Sequence, residues 1–282
     1  MTAREGLRGR GSRSAMSPFL SRLAVAAVGL PLVLGLVYLG GWWLFALVAV
    51  AGVLALHEFY AMTRPLRPLA IAGFAGLFAI LFGIKLGGLG WGAGGVLLTL
   101  ALSFLLKGIA DTRQSATVSV GTTVLGAGWI GFGLGYLLLV RGIPVSGRLA
   151  ALTLLLAVFA GDTAAYAVGR IAGRHKLAPV VSPGKTWEGF VAGTIATVFV
   201  AWVALYKNKH GFLLHGRQFA FGFALAAAGP LGDLFESLLK RDMNVKDTGR
   251  LLAGHGGVLD RIDALLFASV TAFYVVAAFG ET

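Results

Sequence analysis

The sequence predicts an all-α polytopic integral membrane protein with about nine transmembrane helices, and three observations carry that prediction. Of 282 residues, 57% are hydrophobic and only 13% are charged, against an apolar share of roughly 45–50% in an average soluble domain; mean hydropathy is +0.83. The apolar residues gather into runs near the length that crosses a hydrocarbon core, about 20 residues for a helix. The 24 lysines and arginines divide unevenly between alternate connections, as the positive-inside rule expects of a multi-pass chain.

In chain order, residues 1–22 carry Arg4, Arg8, Arg10, Arg13 and Arg22 among glycine and serine and read as a basic, disordered cytosolic tail. No cleavage motif follows Leu39, which argues against a secretory leader. Apolar segments then lie near 23–39, 42–57, 69–84, 92–106, 118–140, 149–171, 189–206, 218–239 and 262–279. With the N-terminus in the cytosol, 18 of the 24 basic residues fall on inside connections and 6 outside, which supports nine spans. Both polar connections, 172–188 and 240–261, are then cytosolic. Residues 23–282 read as a single polytopic transmembrane domain. Its 42 glycines, about twice the usual share of roughly 7%, suit close helix approach in lipid.

Composition also excludes. With no cysteine, disulfides, thiolate nucleophiles and cysteine metal sites are impossible. The net charge of +12 does not indicate nucleic acid, because no basic soluble body accompanies it; anionic lipid headgroups and phosphates are the expected partners. Gly126-x-Gly128-x-x-Gly131 has the letters of a dinucleotide fingerprint but lies inside an apolar run, where glycines serve helix packing. Ser182-Pro183-Gly184-Lys185-Thr186 ends like a phosphate-binding loop, yet Pro179 stands where that motif begins with glycine.

Charge concentrates between Pro230 and Asp263. Asp233, Glu236, Ser237 and Lys240 fall at i, i+3, i+4 and i+7, so one helix face carries all four. Ionisable groups at membrane depth face a wet cavity, an ion or a substrate. Asp233, Asp260 and Asp263 are oxygen ligands of the kind magnesium takes alongside water and phosphates. An antiparallel helix pair joined by 240–261 brings Asp233 and Asp260 to one depth, which makes these two the expected metal ligands. Pairing of Asp260 and Asp263 with Arg261 and Arg241 is the alternative. His255 is a candidate base, metal ligand or positioning group. Gly254, Gly256 and Gly257 allow backbone N–H groups to converge on an anion. Asp162, in the run VFAGDTAAYAVGR, is costly at that depth unless it is hydrated or paired, with Arg170 or with a neighbouring helix. Glu58, among aromatics in LALHEFYAM, reads as an interfacial anchor.

Ser237-x-x-Lys240-Arg241, then Lys246-Asp247-x-Gly249, then His255-Gly256-Gly257-x-x-Asp260-Arg261-x-Asp263 resembles the signature of the phosphatidate cytidylyltransferases, or CDP-diacylglycerol synthases. Ala253 stands where family members commonly carry proline. Lys176 to Pro179 and Ser182 to Thr186, with Glu188 and Gly189, resemble a second segment of that family, and the Gly-Asp-Thr around Asp162 a third. The resemblance implies transfer of a cytidylyl group from CTP to phosphatidate with release of pyrophosphate. It further implies a cell-membrane (inner-membrane) location, an active site facing the cytosol, and magnesium as cofactor. A second, monovalent ion and a homodimer are compatible with it. On this reading Asp233, Lys240, Arg241, Lys246, Asp247, His255, Asp260, Arg261 and Asp263 are catalytic, with Asp233 and Asp260 on magnesium. Asp162, Lys176, Ser182, Lys185, Thr186, Glu188, Ser237, Gly256 and Gly257 bind substrate. A CTP-using polyprenol or phytol kinase and a secondary transporter are the rival readings; the kinase would require a base for a neutral hydroxyl, the transporter pseudo-symmetric halves.

Overall fold

The computed structural model describes residues 18–109, 115–206, 216–249 and 256–279, with side chains from 29 onward. Eight α-helices follow in order: α1 Pro18–Leu39, α2 Gly41–Met62, α3 Ala70–Ile109, α4 Ala116–Gly142, α5 Gly147–Ala172, α6 Trp187–Leu205, α7 Arg217–Asp242 and α8 Leu259–Ala278. Seven of them, α2 to α8, are long and apolar enough to cross a membrane, and the chain is a multi-pass membrane protein. Residues 18–22, expected as the end of the tail, belong to α1; residues 1–17 lie outside the described part, as does His255.

Nine expected segments become eight helices because those near 69–84 and 92–106 are joined in α3. A straight helix of 40 residues would run about 60 Å, twice a hydrocarbon core of about 30 Å. It is not straight. Gly88 has φ 75° and ψ −162°, a conformation open to glycine and strained for other residues. The two limbs fold back on each other from that point. A Cβ at Gly83 would lie 2.6 Å from the Trp91 carbonyl oxygen, one at Gly95 2.5 Å from the Ile80 nitrogen, and one at Gly76 would collide with the Thr99 hydroxyl. These pairs step outward from residue 88 in opposite directions, which is the register of an antiparallel helical hairpin.

Glycine also sets the seam between α5 and α6. Gly161, Ala165 and Gly169 face Gly189, Gly193 and Thr197, with a Cβ at Gly189 falling 2.6 Å from the Ala165 carbonyl oxygen. Small residues at every fourth position let the backbones approach in the absence of a hydrophobic drive between helices. The Thr197 hydroxyl adds a bond across the seam to the Ala157 carbonyl at 3.2 Å.

The all-α expectation needs one correction. The 172–188 connection, expected as a loop, holds a two-stranded antiparallel hairpin, β1 Lys176–Ala178 and β2 Ser182–Thr186, paired at Lys176 with Thr186 and at Ala178 with Ser182. Prolines at 179 and 183 exclude a helix here, and the ladder satisfies backbone groups that a bare loop would leave to water. The hairpin ends directly on α6, where the Thr186 hydroxyl accepts the Gly189 N–H at 3.1 Å as an N-cap.

The limbs of α3 supply the first test. Gly95→Leu sets a side chain against the backbone of residues 79–80, which cannot yield as a flexible side chain would. Overpacking of this kind costs about 1–3 kcal/mol, so the variant should melt several degrees lower in detergent; an unchanged melting temperature would contradict the hairpin.

Candidate active site

The predicted face of α7 forms as expected. Lys240 Nζ lies 2.6 Å from Glu236 Oε2 one turn back, and the Ser237 hydroxyl donates to Asp233 Oδ1 at 3.4 Å. Lys240 Nζ also reaches Asp260 Oδ1 on α8 at 2.7 Å, so a single ammonium joins two helices. Glycine permits the approach: a Cβ at Gly232 would lie 2.5 Å from the Asp263 carbonyl oxygen, and α7 and α8 therefore touch backbone to backbone beside the charged face.

The hairpin closes on this pair from the other side. Lys185 on β2 places Nζ 2.7 Å from Asp233 Oδ2 and 3.4 Å from the Pro230 carbonyl oxygen. Arg241 donates from Nε to the Val181 carbonyl at 3.2 Å. The two polar connections, distant in sequence, thus meet at one end of the bundle. Asp162 on α5 comes within Coulombic reach of Lys185 and Asp233 and lines a small cavity between α5, α6 and α7 with Gly161, Ala165, Thr197, Leu225 and Pro230. It does not pair with Arg170, whose Nη1 instead donates to the Tyr166 hydroxyl at 2.9 Å.

Carboxylates outnumber ammoniums here. Asp162, Asp233, Glu236, Asp260 and Asp263 face Lys185 and Lys240. Oxygen atoms of Asp233, Glu236 and Asp263 lie within 4.8 Å of one another, and Glu236 Oε1 is buried without a hydrogen-bond partner. An orphaned carboxylate oxygen among two further carboxylates is a donor set that fits a hard divalent cation. Asp260 is differently placed. Its Oδ1 holds Lys240, and its Oδ2 accepts from Thr248 N at 3.1 Å, Thr248 Oγ1 at 3.0 Å and Gly257 N at 2.8 Å. Both oxygens are engaged in fixing the loop, so among the described residues the metal-like grouping joins Asp233 to Glu236 and Asp263 rather than to Asp260.

The remaining expected residues divide into two groups. Arg241, Lys246, Asp247 and Arg261 are exposed around the cluster, and Lys176 is exposed on β1. Ser182 sits in the ladder, and the buried Thr186 hydroxyl serves the α6 cap. Glu188 accepts the His175 backbone N–H at 3.2 Å and meets its Nδ1 at 2.6 Å, which ties the hairpin's entrance to its exit. Gly256 has φ 79°, a left-handed turn suited to glycine, and the N–H of Gly257 is already donated to Asp260.

Sequence reasoning passed over Glu236 as a ligand and Glu58 as part of the site's surroundings. The i, i+3 spacing of Asp233 and Glu236 was the available signal for the first, and a lone carboxylate within an apolar span for the second. Glu58 is buried on α2, and its Oε2 accepts the Leu259 N–H at the start of α8 at 2.9 Å.

Lys240→Met tests the central tie. It leaves Glu236 and Asp260 without their shared cation at 1% and 12% side-chain exposure, and breaking a buried pair by removing one partner costs on the order of 3 kcal/mol. A melting temperature equal to that of the unaltered protein would show that the ammonium does not hold α7 to α8.

Residues 20–279 match the sequence profile of the cytidylyltransferase family. The phosphatidate cytidylyltransferase of Mycobacterium bovis is 34% identical over 271 residues, 89% of this chain and 85% of that protein. That of Mycobacterium tuberculosis has the same identity over the same length, covering 79% of the relative. The Staphylococcus haemolyticus enzyme is 32% identical over 253 residues, 87% of this chain and 94% of its own. With its profile matched across nearly the whole length and Lys240, Asp260 and Asp263 of the signature drawn into one charged cluster, the chain belongs to the cytidylyltransferase family.

Proposed function

We propose that the protein transfers a cytidylyl group from CTP to phosphatidate, giving CDP-diacylglycerol and pyrophosphate. The observation that carries this reading is the convergence of Asp233, Glu236, Lys240, Asp260, Asp263 and Lys185 at one end of the bundle, in a chain similar over most of its length to proteins named for that reaction.

The chemistry asks for charge compensation before anything else. CTP carries about four negative charges near neutral pH and a phosphatidate monoester between one and two. The lipid phosphate is already largely deprotonated, so no strong base is needed; alignment and a cation clamp are. Magnesium is the proposed cofactor, and Asp233, Glu236 and Asp263 would hold it. Bound there, it would neutralise and align the α- and β-phosphates. Lys185, paired with a half-exposed Asp233, is placed to turn toward phosphate, with the exposed Arg241 and Lys246 neutralising the remainder. A phosphatidate oxygen forms the new bond to the α-phosphorus as the α–β bridging bond breaks and pyrophosphate leaves. Lys240 is held by two carboxylates and acts by fixing α8 against α7 rather than by meeting substrate.

The hairpin geometry of α3 and the helical backbone of α1 support nine crossings in all, with the β-hairpin and the 243–258 connection on the cytosolic face of the cell membrane, where CTP is available. Val145 is 84% exposed on the opposite connection. A cysteine placed at Ser115 or Asn244 of this cysteine-free chain should be labelled from the cytosol alone, and one at Val145 from outside alone; external labelling at Asn244 would overturn the orientation.

Purified protein given magnesium, phosphatidate and CTP labelled in the α-phosphate should move label into lipid, whereas γ-label should leave as pyrophosphate. Glu236→Gln and Asp263→Asn should each lower turnover by on the order of 100-fold, the scale of losing one group that stabilises developing charge, and should raise the magnesium concentration required. Label transferred to a prenol and not to phosphatidate would identify a kinase instead.

A further inference from the structure

Glu58 is a carboxylate in an unexpected place. Helix α2 is otherwise apolar along its buried face, and Glu58 is 2% exposed there. Such a group is costly to hold without compensation; Oε1 has no hydrogen-bond partner among the described residues, and the groups that face Oε2 come from the segment after α7 and from the first residue of α8. Oε2 accepts the Leu259 N–H at 2.9 Å, where the first turn of α8 presents unsatisfied amides and the positive end of the helix dipole. The Thr248 hydroxyl lies 3.5 Å from the same oxygen and 3.0 Å from Asp260 Oδ2, so its shorter bond goes to Asp260. Two signature glycines press on the carboxylate. A Cβ at Gly249 would lie 2.5 Å from Oε1, and one at Gly257 would collide with Oε2 and with the Thr248 hydroxyl.

We propose that Glu58 is a positioning residue for the reacting cluster, fixing from α2 the turn that sets Asp260 against Lys240 without itself meeting substrate. The linkage runs from Glu58 to the Leu259 N–H and so to its neighbour Asp260, whose Oδ2 takes the Thr248 hydroxyl, then to Lys240 and Glu236. It explains the smallness of residues 249 and 257 by the space Glu58 occupies. A phosphate-binding nest would leave the Gly257 N–H open, but that group is donated to Asp260. Only the turnover arm of the test below rests on the proposed reaction.

The half-buried Val258 reports on the turn: in a Val258→Cys background, the rate of modification by a water-soluble maleimide measures how often it opens. Glu58→Ala should raise that rate about tenfold or more, the scale of a lost charge-assisted hydrogen bond. Glu58→Gln keeps the volume and one acceptor and should fall between; it decides the matter alone if Glu58→Ala fails to fold. Gly249→Ala should open the turn in the presence of Glu58 and add little to Glu58→Ala, because the nearest atoms its Cβ meets all belong to that side chain and are then gone. Turnover of CTP into lipid should fall in the same order, with the KM for phosphatidate unchanged. Unchanged modification in both Glu58 variants, an undiminished effect of Gly249→Ala beside Glu58→Ala, or an open turn with full turnover would each overturn the proposal. If the unaltered protein transfers no cytidylyl group, the proposed reaction falls, and the modification rates still decide whether Glu58 holds the turn.

Discussion

Acidic side chains held at one depth of an apolar bundle must be compensated, and the arrangement of the polar end of this protein follows from that requirement. Desolvating a carboxylate costs several kcal/mol unless a cation or several donors replace the lost water. Lys240 serves two carboxylates at once. The N-terminal turn of α8 and the preceding segment supply amides to Asp260 and Glu58. Glu236 Oε1 and Glu58 Oε1 are left over among the described residues, and the first, which stands with Asp233 and Asp263, makes the cluster fit for a divalent ion.

The two lysines are not equivalent, and burial separates them. Lys185 and Asp233 have side chains 20% and 38% exposed, where an ion pair is screened and worth about 1 kcal/mol or less. Lys240 lies between partners almost shielded from solvent, where losing either one would leave an uncompensated charge. Lys185 can therefore exchange Asp233 for a phosphate oxygen at small cost, whereas Lys240 cannot. Its place on a hairpin rather than in a helix suits the exchange, since β1 and β2 join the bundle through their ends and a few side-chain contacts.

Much of the fold was legible because lipid makes hydropathy a strong signal. The expected segments agree with the helices to within a few residues, and the face formed by Asp233, Glu236, Ser237 and Lys240 follows from helical spacing alone. What escaped was set by contacts between distant parts of the chain. The α3 hairpin turns on one glycine whose conformation no periodicity encodes. The β-hairpin is too short for an alternating pattern. The expectation of Asp260 as a metal ligand rests on its depth, and depth does not reveal how many donors a carboxylate already has. Thr248 and Gly257 saturate one of its oxygens, and neither lies in a helix or strand whose period would place it.

The residues of the signature also separate by what they face, and spacing alone could not have sorted them. Lys240, Gly249, Gly257, Asp260 and Asp263 meet one another, Glu58 or Glu236 inside the bundle. Arg241, Lys246, Asp247 and Arg261 ring the outside. The inner set needs defined volumes and donors, because a methyl at 249 or 257 would collide with a carboxylate. The outer set is free of such packing limits, and on the proposed reaction its arginines and lysine would supply the positive field that meets nucleotide phosphates arriving from water. A single stretch of sequence therefore carries two kinds of constraint, one on packing around buried carboxylates and one on the field above them. Glu58, contributed by a helix some 190 residues upstream of Thr248, belongs to the first kind, although it lies far outside the signature.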